Sequence, residues 1–171
     1  MRARSEDVGQ TLLLGQALAH ALRTDDVVVL CGDLGAGKTH LVKGVAAGLG
    51  VGTEVTSPTF NILRQHEGRA GYDDPSGGFA GVEPAPTLAH WDLYRLESSD
   101  QLEDVDYFGI LESGVISLVE WGDKFEDALP DEYLRVDMTI VDAGSRDIVV
   151  SGYGDRGARL AQALRSLWEE A

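Results

Sequence analysis

Gly32-Asp33-Leu34-Gly35-Ala36-Gly37-Lys38-Thr39 follows the apolar run Val27-Val28-Val29-Leu30-Cys31 and precedes a segment of helical character over about 38–49. That order of apolar strand, glycine-rich turn and helix decides the fold. A continuous apolar run is typical of a strand covered on both faces, so the sheet that holds it carries helices on each side. Glycine at 32, 35 and 37 lets the backbone turn tightly, so that successive N–H groups point inward at phosphate oxygens. The helix that follows adds the positive end of its dipole. In this pattern Lys38 is expected to bridge the β- and γ-phosphates and the Thr39 hydroxyl to ligate Mg²⁺. The expected ligand is a nucleoside triphosphate with magnesium.

Upstream of the loop, Ser5 is predicted to cap a helix with Glu6 and Asp7 in its first turn. Thr11, Leu14, Leu18, Ala21 and Leu22 then share one helical face. Downstream, Gly50-Val51-Gly52 stops the second helix, and Pro58 interrupts residues 55–60. A short strand is expected over 60–66. Residues 67–87 are rich in Gly, Pro and acid without periodicity. They read as a flexible surface insertion, with a partner-binding loop as the alternative. Residues 88–94 alternate, with His90, Asp92 and Tyr94 on one face and Ala89, Trp91 and Leu93 on the other. Ser98 or Ser99 opens a short helix to about 105, and 115–119 is a second buried strand ending in Glu120-Trp121. Residues 134–141 and 147–151 form a hairpin, and a last helix covers about 155–169. The predicted fold class is α/β: a single P-loop NTPase-like domain over 1–171, with a mixed central β-sheet flanked by helices and a C-terminal β-hairpin and helix.

The chain has 171 residues, enough for one domain with a single good core. No apolar run is long enough to cross a bilayer. The basic residues at 2 and 4 have no apolar stretch behind them, unlike a secretory signal, so a cytoplasmic location is expected. Fourteen basic against 29 acidic residues give a net charge of −15. That balance excludes a free-standing nucleic-acid binder, which needs a basic stripe to displace phosphate counterions. In RNA metabolism, a partner would have to hold the RNA. The plainer reading is that surface acid keeps the chain soluble. The one cysteine, Cys31, excludes a disulfide framework and a cysteine metal site. It reads as a small buried hydrophobe, with a reactive thiol as the alternative.

A P-loop enzyme also needs a carboxylate from a second strand on the magnesium side. Glu120 closes an apolar run and fits that description; Asp92, within the 88–94 strand, is the other candidate. Either could instead be a solvated or salt-bridged acid. Thr56-Ser57-Pro58-Thr59 places three hydroxyls around a proline. It reads either as a switch that senses the γ-phosphate and magnesium or as a plain turn. Trp121 either packs against the nucleotide base or belongs to the core. Guanine-specific sites carry an Asn/Thr-Lys-x-Asp element, which this chain lacks, so ATP is favoured over GTP. Asp106-Tyr107-Phe108-Gly109 has a D-x-x-G spacing but follows a helix-like segment, and is discounted.

Together, G-D-L-G-A-G-K-T (32–39), T-S-P-T-F (56–60), H-W-D-L-Y-R-L (90–96) and V-E-W (119–121) resemble, in order and spacing, the TsaE family, also called YjeE. The resemblance runs from about Thr11 to the C-terminal hairpin and omits 67–87. It implies a small bacterial ATPase that serves threonylcarbamoyl modification of adenosine beside the tRNA anticodon. The family acts with TsaB and TsaD, while TsaC or its relative makes the threonylcarbamoyl adenylate. Hydrolysis, weak alone, would occur on the TsaB–TsaD pair and reset it, and tRNA would be met only through those partners. By position the resemblance implies nucleotide contacts from Thr11, from the loop Asp33, Leu34, Gly35, Ala36, Gly37, Lys38, Thr39 and His40, and from Trp121. It also implies magnesium contacts from Thr39 and Glu120, and catalytic roles for Asp92, Lys38 and Thr59. Whether Asp92 or Glu120 is the base or the metal ligand stays open at this level.

Two departures stand out. His40 occupies a place where the family usually repeats threonine, and the 67–87 insertion is longer than expected. Two rival functions share the phosphate loop. One is a small-molecule or nucleoside kinase, which needs an arginine-bearing lid; of Arg64, Arg69 and Arg95, only Arg69 lies in a lid-like loop. The other is an assembly factor that binds nucleotide with little turnover.

Overall fold

In a computed structural model, which describes residues 1–69 and 85–169, one seven-stranded sheet organises the chain. Its strands are β1 (Arg2–Ser5), β2 (Val27–Cys31), β3 (Leu63–Glu67), β4 (Thr87–Asp92), β5 (Ile116–Glu120), β6 (Tyr133–Ile140) and β7 (Arg146–Tyr153). They lie in the order β1-β7-β6-β2-β5-β4-β3. β2 runs parallel to both β5 and β6, and β4 parallel to β5. β3, β7 and β1 join antiparallel at the two sides, so the sheet is mixed. The helices are α1 (Val8–Ala21), α2 (Lys38–Gly48), the short α3 (Asp100–Asp104) and α4 (Tyr107–Leu111), and α5 (Gly154–Glu169); a 3-10 segment covers Gly122–Ala128. No helix among the described residues is long and apolar enough to cross a membrane.

The apolar run of β2 divides its side chains between two cores because strand residues alternate faces. Val28 and Leu30 pack with Leu14, Leu18, Leu41, Val45 and Leu160 from α1, α2 and α5. Val27, Val29 and Cys31 pack with Trp91, Leu102, Tyr107 and Phe125 on the other side. Both faces being covered explains why the strand shows no polar alternation. α1 and α2 pack very closely. A Cβ on Gly15 would meet the Leu41 carbonyl and lie 2.8 Å from Gly44 Cα, and one on Gly44 would meet the Leu12 carbonyl. This contact fixes the helix that leaves the phosphate loop against the helix that carries Thr11.

Several expectations change at the element ends. Asp7, not Ser5, caps α1, its Oδ1 accepting from Gln10 N at 2.9 Å. Ser5 is instead the last residue of edge strand β1, paired with Arg146. Neither β1 nor α4 was predicted: each is a short element of four or five residues, too brief for a period to declare itself. The third strand begins at Leu63, because Pro58 and Phe60 belong to a turn whose Asn61 and Ile62 amides both donate to Pro58 O. The insertion is narrower than 67–87, since Glu67 and Thr87 face each other in the β3–β4 ladder and Gly68 N donates to Pro86 O at 2.8 Å. Its interior, 70–84, lies outside the described residues.

Candidate functional site

All four parallel strands point their C-terminal ends to the same side, and the phosphate loop leaves β2 there, where open α/β sheets place ligand crevices. Gly32, Gly35 and Gly37 have φ of +137°, +81° and +104°, a region that costs other residues strain. Gly37 is also the N-cap of α2. The loop borders a cavity of about 440 Å³ lined by residues from six separate stretches of chain.

Thr11, Leu34, Gly35, Gly37, Lys38, Thr39, His40, Thr59, Asp92, Glu120 and Trp121, all named from sequence, line that cavity. Asp33 and Ala36 do not. Ala36 is a core residue, and the Asp33 carbonyl accepts from Ala36 N at 3.1 Å. Lys38 Nζ donates to Gly32 O at 2.6 Å and Asp33 O at 3.0 Å, and sits 4.1 Å from the Trp121 ring centroid. Burial lowers its pKa from the ordinary lysine value, with Glu120 and Asp92 pulling the other way. Trp121 is thus neither plainly core nor plainly free. Half-buried, at φ +64° after β5, it roofs the lysine.

The two acids differ in their company. Asp92 and Glu120 are paired across β4 and β5, and both are buried. Glu120 Oε1 accepts from Thr39 Oγ1 at 2.9 Å and from His90 Nε2 at 2.8 Å. Asp92 Oδ2 accepts from Thr59 Oγ1 at 2.6 Å and Ser57 Oγ at 3.1 Å, and its Oδ1 accepts from Tyr94 N at 3.1 Å. Glu120 therefore belongs to the phosphate-loop side and Asp92 to the Thr56–Thr59 segment. A hydroxyl and a carboxylate this close are hard oxygen donors, which suit Mg²⁺ held mainly by phosphate and water. No group of three or more His, Cys, Asp or Glu that could hold a metal occurs among the described residues.

Arg146, at the start of β7, was not singled out from sequence. Its Nε and a terminal nitrogen donate to Ala36 O at 3.0 Å and Gly35 O at 3.1 Å, and it lines the cavity with Ala143 and Gly144. A loop folded on Asp142 brings it there: Asp142 Oδ1 accepts from the Gly144 and Ser145 amides. Bonds from Ser145 and Gly144 hold the Asp142 carboxyl down at about 2. The hairpin turn D-A-G-S-R carried the only hint, an Asx-turn residue followed by glycine. Thr11 is held by Ser5, their hydroxyls 2.7 Å apart in the buried interior.

A mixed sheet, a glycine-rich turn between strand and helix, and a lysine, threonine and two strand-end acids around one cleft define the P-loop NTPase class. The family model described as threonylcarbamoyl adenosine biosynthesis protein TsaE matches residues 5–148. The tRNA threonylcarbamoyladenosine biosynthesis protein TsaE of Streptomyces coelicolor is 43% identical over 150 residues, covering 85% of this chain and 92% of that protein. Its Bacillus subtilis counterpart is 34% identical over 164 residues, covering 96% and 93%. The crystal structure of Bacillus subtilis YdiB superposes with a TM-score of 0.72 at 30% identity, covering 97% of this chain and 94% of that one. The chain belongs to the TsaE family.

Proposed function

We propose that this protein is the magnesium-dependent ATP hydrolase of the machinery that installs threonylcarbamoyl on adenosine 37 of tRNA, turning over when docked on a TsaB–TsaD pair. The observation that carries the reading is the division of labour between the two acids. Glu120 bonds the loop threonine, and Asp92 bonds the hydroxyls of the Thr56–Thr59 segment.

On this reading the loop amides and Lys38 bind the phosphate tail, and Lys38 exchanges the Gly32 and Asp33 carbonyls for phosphate oxygens. Arg146 holds the loop carbonyls and lends the cleft a second cation. Thr39 and Glu120 hold magnesium, which when bound neutralises charge on the transferring phosphoryl group. Asp92 orients the attacking water and accepts its proton. Thr59 and Ser57, now donating to Asp92, keep that carboxylate in place and couple it to the Thr56–Thr59 segment, a switch rather than a plain turn. Among the described residues, the hairpin cation that lines the cleft, Arg146, is bonded to the loop itself, while Arg69, the lid-like candidate, borders a separate cavity with Gly50, Thr53 and Gln65. That argues for water as the phosphoryl acceptor over a kinase substrate.

The test is phosphate release from ATP with and without purified TsaB–TsaD. Wild type should be stimulated by the pair, and Asp92→Ala should lose about 100-fold or more of the stimulated rate while still binding ATP. Equal rates for Asp92→Ala and wild type would remove Asp92 from the chemistry. Transfer of labelled phosphate to a nucleoside would favour the kinase.

A further inference from the structure

We propose that His90 is a positioning residue, whose Nε2–H fixes the Glu120 carboxylate so that one oxygen is tied back and the other is left for magnesium. The inference rests on the reading of Glu120 as the magnesium-side acid and extends it by one residue.

His90 is 0% exposed in the centre of β4, two residues before Asp92 and on the same face. It reaches across to the neighbouring strand, where Nε2 lies 2.8 Å from Glu120 Oε1. Glu120 Oε1 also takes the Thr39 hydroxyl. Both donors therefore converge on one oxygen, and no described residue bonds Oε2. A carboxylate accepts, so the imidazole must donate, which puts the ring proton on Nε2. Its Nδ1 has no hydrogen-bond partner among the described residues.

That pattern is poor for a core-filling residue. Leu88 and Leu118 surround the position on the same face of the sheet, and an aliphatic side chain there would strand no nitrogen. Among the described residues, the ring's one hydrogen bond is to Glu120. A ligating carboxylate normally needs such an outer partner to hold its rotamer and its orientation. The geometry gives His90 that task, and Asp92 none of it, since the oxygens of Asp92 are engaged by Ser57, Thr59 and Tyr94.

The experiment is calorimetric titration of MgCl₂ into the ADP-saturated full-length protein, with ADP affinity measured separately in EDTA. His90→Leu should weaken Mg²⁺ binding by about 10- to 100-fold and leave ADP affinity in EDTA unchanged. His90→Gln, whose amide reaches about as far as Nε2, should retain most of the affinity. His90→Asn, whose amide falls short, should behave like leucine. Nitrogen chemical shifts of the wild-type ring should report the Nε2–H tautomer. Unchanged Mg²⁺ affinity in His90→Leu, equal behaviour of the Asn and Gln variants, or an equal loss of ADP affinity in EDTA would each overturn the proposal. Glu120→Gln is the control: if it does not weaken Mg²⁺ binding, the failure lies in the reading of Glu120 itself. If it does while the His90 variants do not, the failure is confined to His90.

Discussion

Cys31 closes the strand that feeds the phosphate loop, two residues from Asp33, yet its chemistry is suppressed. Burial, reinforced by the charge of Asp123, pushes its thiol from 9.0 up to about 12. The thiolate is the reactive form, so at pH 8 the folded thiol is almost wholly protonated and inert. Native protein should therefore resist iodoacetamide at pH 8 and react only once unfolded; labelling of the folded protein at the rate of a free thiol would contradict this. The same shift fixes a sign. Between pH 9 and about 12 the unfolded chain loses this proton while the folded one keeps it, so stability falls as pH rises through that window. At this scale the sequence was informative wherever a residue sat at the end of an apolar run. Glu120 was named for that reason, Lys38 and Thr39 from the glycine-rich loop and Asp92 from the alternating 88–94 strand, and the structure brings all four to one cleft. Arg146 was not named, because nothing local links a hairpin arginine to carbonyls 110 and 111 positions away. His90 was read as a strand residue and the first letter of the H-W-D-L-Y-R-L motif but given no role, since its partner belongs to another strand.

Longer elements were read closely, β2 to the residue and α2 and α5 to within one, but the strand expected over 88–94 ends at Asp92 and that over 147–151 extends from Arg146 to Tyr153. The error at the start of α1 fell where side chains compete for a cap. Ser5 and Asp7 are both good capping residues, and the β1–β7 ladder takes Ser5 out of the contest. The α1–α2 crossing was not legible at all. Gly15 and Gly44 look like weak points in helices until the two backbones are seen in contact, where a side chain has no room. Gly44→Ala should cost about 1–3 kcal/mol of stability, measurable by urea denaturation. Because α2 starts at the phosphate loop and α1 carries Thr11, nucleotide affinity should fall with it. A neutral or stabilising Gly44→Ala, as helix propensity alone would give, would show that the close crossing is not what holds these helices.

The molecule as a whole gathers Thr11, Thr39, Ser57, Thr59, Asp92 and Glu120 around one cleft at one end of a mixed sheet, in a chain whose net charge is −15. Such a charge disfavours direct contact with RNA. Filter binding of tRNA to the isolated protein at 0.15 M salt should detect no complex at micromolar protein, and a tight complex would mean that a basic face had gone unrecognised. The central claim is narrower: the glycine loop and Lys38 form a seat for the phosphates of ATP with magnesium. Calorimetry of ATP into protein at millimolar Mg²⁺ tests it directly. Wild type should bind one ATP per chain, and Lys38→Ala, folded by circular dichroism, should bind at least about tenfold more weakly, the loss of one charge-assisted contact. No heat at millimolar nucleotide, or equal affinity in Lys38→Ala, would contradict the account.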